Sequence, residues 1–245
     1  MFPTPVFKLD ANTAEFERQP FIKPTGFREY DARWLFEKEI NLLGIQALGL
    51  GLGTYLHQLD QKPEIVVGQD YRSYSVSIKQ ALITGLLAAG CTVHDIGLAL
   101  SPVAYFAQFE LDVPAVAMVT ASHNDNGWTG VKMGCERPLT FGPDEMAALK
   151  DIVLGGKFEH RSGGEYIWVD DMAQRYMDDL AGGKKLSRPV KIVAACGNGK
   201  AGVFAPQVLE RIGCDVIPLN CDLDHSFPNH NPNPEDLKML HAMAE

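Results

Sequence analysis

The densest chemistry in the chain lies in one run, Thr120-Ala121-Ser122-His123-Asn124-Asp125-Asn126-Gly127-Trp128-Thr129-Gly130-Val131-Lys132. A serine hydroxyl, an adjacent histidine and a lysine ten positions on are suitable parts for binding or moving an anionic group. A histidine exchanges protons near neutral pH, and a lysine neutralises a phosphate as a point charge. Asn126-Gly127 and Thr129-Gly130 are turn-formers that let the chain fold back, so that Lys132 can return toward Ser122. A polar loop in which His123 and Asn124 only hold a turn fits the same letters. Side-chain chemistry alone does not choose between the two.

The elements that must position this run can be read from hydrophobic spacing. Ile65-Val66-Val67-Gly68 is a short apolar strand. Ser75 to Ala89 follows with Ile78, Leu82, Ile83, Leu86 and Leu87 at helical spacing, and Gly90 stands where a helix-terminating glycine belongs. Thr92–Ile96 reads as a strand, Val103–Phe109 as a short helix, Ala115–Val119 as a strand, and Pro143–Val153 as a helix begun by proline. Strands alternating with helices imply an α/β/α three-layer domain with a mostly parallel mixed sheet. In such sheets ligands sit beyond the carboxyl ends of the strands. The run containing Ser122 leaves just such an end.

Residues 1–25 carry Pro3, Pro5, Pro20 and Pro24 with little periodicity and read as an irregular lead-in. The first domain is expected over 26–160, with a glycine-containing separator from Gly155 to Gly164. A second, incomplete α/β domain is expected over 165–245: a bridging helix Asp171–Leu180, a strand Val190–Ala195, a Gly197-Asn198-Gly199 turn, a helix Gly202–Ile212 and a strand Asp215–Leu219. The natural protein is expected to continue past Glu245.

Composition bounds the function. A chain that is 46% hydrophobic and 22% charged has the balance of a globular protein. A net charge of −9 argues against broad nucleic-acid binding while leaving room for a locally basic pocket. Five cysteines with no C-x-x-C pair suggest neither a disulfide framework nor a four-thiolate metal site. The most apolar stretch, Leu42–Leu56, is short of the roughly 20 residues a spanning helix needs and reads as a buried core helix. No signal-peptide pattern opens the chain, and a cytoplasmic location with no membrane partner is expected. Nothing in the sequence fixes the oligomeric state.

T-x-S-H-N followed by N-G-x-x-G-x-K resembles the phosphoserine loop of the α-D-phosphohexomutases, the superfamily of bacterial phosphomannomutase/phosphoglucomutase, in which the lysine likewise stands ten positions after the serine. Most members place proline after the asparagine, where this chain has Asp125. Gly26-Phe27-Arg28-Glu29-Tyr30-Asp31-Ala32-Arg33 is similar to the family's N-terminal F-R-x-Y-D-x-R motif, although Trp34 replaces the glycine often found next. Gly68-Gln69-Asp70-Tyr71-Arg72 resembles the G-x-D-x-R turn, read as mostly structural. Cys196-Gly197-Asn198-Gly199 with Ala201-Gly202, and Phe227-Pro228-Asn229-His230-x-Pro232-x-Pro234, resemble the start of the family's second domain.

The resemblance implies that Ser122 carries a phosphoryl group and that Mg²⁺ binds one of its oxygens. Lys132 and Arg33 supply positive charge, and His123 shuttles a proton or accepts a hydrogen bond. Tyr30, Arg33 and Lys132 border the substrate, a hexose phosphate whose 1- and 6-phosphates (of mannose, glucose or both) are exchanged through a 1,6-bisphosphate. Glucose 1,6-bisphosphate is the implied activator. The family's D-x-D-x-D-R magnesium run is not found in the sequence, so little turnover is expected from this chain alone. Two rivals stay open: a non-catalytic phosphosugar-binding module, and a serine hydrolase, which lacks the G-x-S-x-G elbow.

Two other motifs invite readings that their contexts oppose. Gly49-Leu50-Gly51-Leu52-Gly53 misses the dinucleotide-binding spacing by one place and follows no strand, so a packed helix face is expected. Asp222-Leu223-Asp224-His225-Ser226 resembles a phosphatase D-x-D-x-S, yet too little sequence follows it for the partners that chemistry needs; a polar turn is expected, and Cys221, Asp222, Asp224 and His225 match no metal spacing.

Overall fold

A computed structural model describes residues 2–137, 139–229 and 237–244. The elements in chain order are α1 (Ala14–Arg18), β1 (Ala32–Leu35), α2 (Leu42–Gln58), β2 (Glu64–Gln69), α3 (Ser75–Ala88), β3 (Thr92–Leu98), α4 (Ser101–Glu110), β4 (Ala115–Val119), β5 (Trp128–Gly134), α5 (Pro143–Leu154), β6 (Glu165–Trp168), α6 (Met172–Ala181), β7 (Val190–Ala195), α7 (Ala201–Arg211), β8 (Cys214–Leu219) and α8 (Leu237–Ala244). Among the described residues one sheet has six strands in the order β1-β5-β4-β2-β3-β6. β4, β2, β3 and β6 run parallel, and β5 is antiparallel to both of its neighbours. The expected mixed, mostly parallel α/β/α domain is therefore present.

Two hydrophobic cores lie on the two faces of this sheet. One gathers Leu48, Leu52, Leu82, Leu86 and Leu149 from α2, α3 and α5 against Ile65, Val67, Ala117 and Val131. The other gathers Val103, Ala107, Met172, Met177 and Phe204 from α4, α6 and α7 against Val66, Val116 and Met118. Strand alternation explains the division, since successive side chains of β2 and β4 point to opposite faces.

The glycine run of α2 serves packing. A Cβ on Gly49 would stand 2.1 Å from the Leu82 carbonyl oxygen, and one on Gly85 would stand 2.1 Å from that of Gln46. The backbones of α2 and α3 thus approach to a distance that larger residues would prevent. Apolar on every side, α2 is buried between α3 and α5, as a helix hydrophobic all round should be.

Three strands were not legible in hydrophobic runs. β1 lies within the arginine-rich N-terminal motif, and β5 covers the part of the serine run that reads as glycine turns. β6 pairs with β3 even though its residues are mostly exposed, so the first sheet takes in residues expected to open the second unit. A polar tie holds it: the Tyr166 hydroxyl donates to Asp95 at 3.0 Å, and Asp95 accepts from the buried Lys79 ammonium at 2.7 Å. The lead-in is also tied down. Val6 bridges Phe21, Phe16 and Phe21 are buried, and Asn41 donates to the carbonyls of Phe16 and Gln19. The second α/β unit contributes β7 and β8, which run parallel, with α7 between them in sequence. Of the proline-rich motif near the end, His230, Pro232 and Pro234 fall outside the described residues.

Trp34 shows why its position departs from glycine. It is fully buried, packs edge-on against Phe27 at 5.3 Å, and donates its indole N–H to the Lys23 carbonyl at 2.8 Å. On β1 it alternates with Arg33 and anchors the strand that carries that arginine. Trp34→Ala is expected to lower the unfolding free energy by about 3–5 kcal/mol. Urea denaturation checks this, and a loss under about 1 kcal/mol would mean the indole is not an anchor.

Candidate active site

β4 ends at Val119, and the chain turns sharply at Ser122, whose φ of +57° lies in the left-handed region that non-glycine residues seldom adopt. Such strain persists only where surrounding contacts impose it. Here they do. The Ser122 amide donates to the Thr120 hydroxyl at 3.0 Å, and the Asn124 side chain donates to the Ala121 carbonyl at 2.7 Å. Arg33 donates to the same carbonyl at 2.9 Å. Arg72 donates to the carbonyl of Asn124 at 2.6 Å and, more weakly, to that of Ser122 at 3.4 Å. Two guanidinium groups, both from earlier in the chain, therefore grip the carbonyl oxygens of the serine loop.

Each arginine has its own carboxylate. Arg33 pairs with Asp31 at 2.6 Å, and Arg72 pairs with Asp70. Asp70 also accepts from the Ser75 hydroxyl, from the Arg72 amide at 3.2 Å and from the Ala121 amide at 3.3 Å. The G-x-D-x-R turn thus fastens the serine loop to the start of α3.

Ser122 and His123 are exposed at the loop's tip, with Ser122 Oγ 3.3 Å from His123 Nδ1, the donor depending on the tautomer. No carboxylate pairs with His123 among the described residues, so the third member of a hydrolytic triad is not in place. Ser122 faces a cleft of about 450 Å³. One wall is the serine loop with Asp70 and Arg72; the other is the Cys196-Gly197 turn after β7 and the start of α7. Helices α4 and α7 both begin at this cleft without a side-chain cap. The positive dipole ends of the two helices favour an anion there, although Pro102 has no N–H and the Val103, Gly202 and Val203 amides already donate to nearby carbonyls.

The sequence-expected residues divide. Ser122 and His123 line the cleft. Arg33 meets the loop through its backbone and is neutralised by Asp31. Lys132 is half-buried on β5 directly across from Met118, which lines the cleft, but is not itself in the wall. Tyr30 is 60% exposed and also lies away from it. The loop at Asp222–Ser226 is a turn in which the Ser226 amide and hydroxyl donate to Asp224, and Asn126 donates to the His225 carbonyl at 2.6 Å, closing the second unit against the serine loop. No cluster of three His, Cys, Asp or Glu side chains is placed to hold a metal among the described residues, so the residues present do not complete a magnesium site. No helix among them is long and apolar enough to cross a membrane.

Lys200 was not singled out from the sequence. It is buried in the cleft wall and donates to the Gln69 carbonyl at 2.8 Å. Burial pushes its ammonium down to about 7, with Asp70 working against that shift and Arg72 adding to it. The available signal was a lysine directly after a Gly-Asn-Gly turn and before a helix.

Two outcomes follow from these contacts. Asp70→Asn leaves the buried Arg72 charge without its counter-ion, and a loss of about 3–5 kcal/mol is expected on urea denaturation, with faster hydrogen exchange at the Ala121 amide. Unaltered stability would show that the pair does not hold the loop. For Lys200, the folded chain binds its proton less tightly than the unfolded chain does. That proton therefore costs stability below about pH 7, and the cost fades as pH rises toward the usual lysine value. Relative to Lys200→Met, the wild-type chain should gain up to about 1.4 kcal/mol per pH unit above neutrality. A flat difference between pH 7 and 9.5 would contradict the burial of the ammonium.

Residues 24–160 match the phosphoglucomutase/phosphomannomutase α/β/α domain I, and residues 174–245 match domain II of the same family. The chain is 33% identical to the phosphomannomutase/phosphoglucomutase of Pseudomonas aeruginosa PAO1 over 231 residues, which cover 93% of this chain and 49% of that protein. It is 34% identical to the probable phosphoglucosamine mutase of Pyrococcus horikoshii, covering 79% of this chain and 43% of the relative. A crystal structure of a phosphoglucomutase/phosphomannomutase family protein from Burkholderia thailandensis superposes with a TM-score of 0.83 at 31% identity, covering 91% of this chain and 49% of that one. The chain spans about half the length of the curated relatives it matches. It belongs to the phosphoglucomutase/phosphomannomutase family.

Proposed function

We propose that Ser122 carries a phosphoryl group and exchanges it with a hexose phosphate, as part of a phosphohexomutase that interconverts 1- and 6-phosphates of mannose, glucose or both. The observation that supports this best is the serine itself. It is held in a left-handed turn at a strand's carboxyl end, braced by Arg33, Arg72 and Asp70, and faces a cleft bordered by two uncapped helix N-termini. Phosphoryl transfer asks a protein mainly to position the group and to stabilise charge on its oxygens.

In the transfer, the bond between phosphorus and Ser122 Oγ breaks as a bond from phosphorus to a sugar hydroxyl forms. The departing Oγ takes a proton, which His123 is within reach to give, and the attacking hydroxyl releases its own proton to water, from which the histidine is reprotonated, so the step consumes no net proton. The sugar then turns over in the site as a 1,6-bisphosphate and returns its other phosphoryl group to Ser122. Arg33, Tyr30 and Lys132 are assigned to substrate and charge by their match to the family's motifs; in this structure Arg33 acts on the loop's backbone. Mg²⁺ and glucose 1,6-bisphosphate are the cofactor and activator that the family resemblance implies. Steady turnover by this chain alone is expected to be low, since its sequence carries no D-x-D-x-D-R run. Hexose phosphates are cytoplasmic metabolites, and that location is proposed with them; neither nucleic acid nor membrane is proposed as a partner.

The test is intact mass and phosphopeptide mapping after incubation with glucose 1,6-bisphosphate. Phosphate should appear on Ser122, leave on addition of hexose 6-phosphate, and be absent from Ser122→Ala. A protein that never takes up phosphate at Ser122 would replace this reading with a non-catalytic phosphosugar-binding module.

A further inference from the structure

The second α/β unit places one cation in the serine cleft. Lys200 follows the Gly197-Asn198-Gly199 turn, is only 8% exposed, and reaches across to the Gln69 carbonyl at the end of β2, next to Asp70. An ammonium has three protons to donate, and this bond uses one. The acceptor is neutral, and among the described residues no carboxylate lies within ion-pair distance of Lys200. The charged and titratable groups around it are Asp70, Tyr71 and Arg72 from the turn after β2, His123 from the serine loop, and Cys196 from the end of β7. Asp70 and Arg72 pair with each other and nearly cancel. Burial holds the Cys196 thiol up at about 12, so it stays neutral. With Ser122 bare, the cleft thus offers Lys200 little net negative charge.

A phosphoryl group on Ser122 changes this balance. It brings roughly −1.5 to −2 charges and three acceptor oxygens into the cleft that Lys200 lines. We propose that Lys200 is a positioning residue that couples the second unit to the state of Ser122: its side chain is the cation the cleft gains when the serine is phosphorylated and gives up when the serine is bare. The proposal rests on Ser122 being the phosphoryl carrier. Chemically, a lysine suits the task and an arginine does not. A buried guanidinium keeps its charge in both states, whereas a desolvated lysine can release its proton to water when the phosphoryl group leaves. The Gln69 carbonyl then still has a donor, because a neutral amine retains N–H bonds. The second unit stays docked in either state while the field at the serine changes.

The experiment follows the ε-carbon of Lys200 by NMR as pH is varied, in metal-free buffer, in two forms of the chain. One has Ser122 unmodified; the other has phosphoserine installed at 122 by codon reassignment. The Lys200 resonance is assigned by its loss in Lys200→Met, or from backbone-connected spectra should that variant not fold. A midpoint near neutrality in the first form, moving up by on the order of one unit or more in the second, is expected. Equal midpoints in the two forms, or an ordinary lysine midpoint in both, would overturn the proposal. Lys200→Arg, which cannot release its charge, should abolish the pH dependence of the neighbouring Gln69 and Asp70 backbone shifts in this range. Because the phosphoserine is installed rather than formed by reaction, the result does not depend on the protein phosphorylating itself. Failure of Ser122 to accept phosphate would be seen separately in the mass measurement.

Discussion

Asp70 and Arg72 form an ion pair almost wholly removed from water, and two pieces of chain, the start of α3 and the serine loop, are fixed by it. The carboxylate receives the Ser75 hydroxyl at the start of α3 and the Ala121 amide beside the serine, while the guanidinium holds the Asn124 and Ser122 carbonyls. Burying two charges is costly unless their remaining donors and acceptors are met. Here the serine loop and the start of α3 meet all but one of them: Arg72 Nε is buried without a hydrogen-bond partner among the described residues. The strained turn at Ser122 is therefore tied to the pair: each supplies hydrogen-bonding groups the other lacks. Arg33 and Asp31 repeat the arrangement from β1, gripping the Ala121 carbonyl on the loop's other side.

What could be read from the sequence follows from how each element signals itself. α2, β2 and β4 are continuous apolar runs whose burial on both sides leaves the pattern undiluted, while α3 shows a clean helical repeat and β7 a short apolar run. β1 and β5 were hidden because their residues answer to function and to close approach as well as to the core. Gly130 in β5 has Ala32 against it so closely that a Cβ would sit 2.3 Å from that carbonyl oxygen, so a residue that reads as a turn is an interior strand position. β6 was hidden for the opposite reason: Glu165, Tyr166 and Trp168 are exposed, and the strand is held by its backbone pairing with β3 and by the Tyr166 hydroxyl donating to Asp95.

The site was legible as a loop and far less so as a cleft. Ser122 and His123 announce themselves by residue type, and the Asp70–Arg72 turn by resemblance, although its grip on the serine depends on a register that no local pattern encodes: β2 beside β4, Gln69 opposite Val119. The chain folds back after the serine as expected, but as a strand: the antiparallel pairing of β4 and β5 sets Lys132 across from Met118. Lys200 could not be found by spacing, because it comes from a different α/β unit and meets Gln69 only through tertiary packing.

A chain with a net charge of −9 is an unpromising host for an anion, and the cleft overcomes this locally. Its arginines are not free cations; each is matched to a carboxylate, so the cleft's fixed charge is close to balanced before any phosphate arrives. What remains to favour an anion is directional: the dipole ends at the starts of α4 and α7, and, in the cleft wall, the Lys200 side chain, whose partner is a neutral carbonyl. Under the proposed function that near-balance matters, since a phosphoryl group bound far more tightly on the serine than on the sugar would not move in both directions. The wall that contributes α7 and Lys200 belongs to the second α/β unit, while the serine belongs to the first. The Asn126 side chain donating to the His225 carbonyl, and Lys200 donating to the Gln69 carbonyl, are what hold that wall against the serine's own unit.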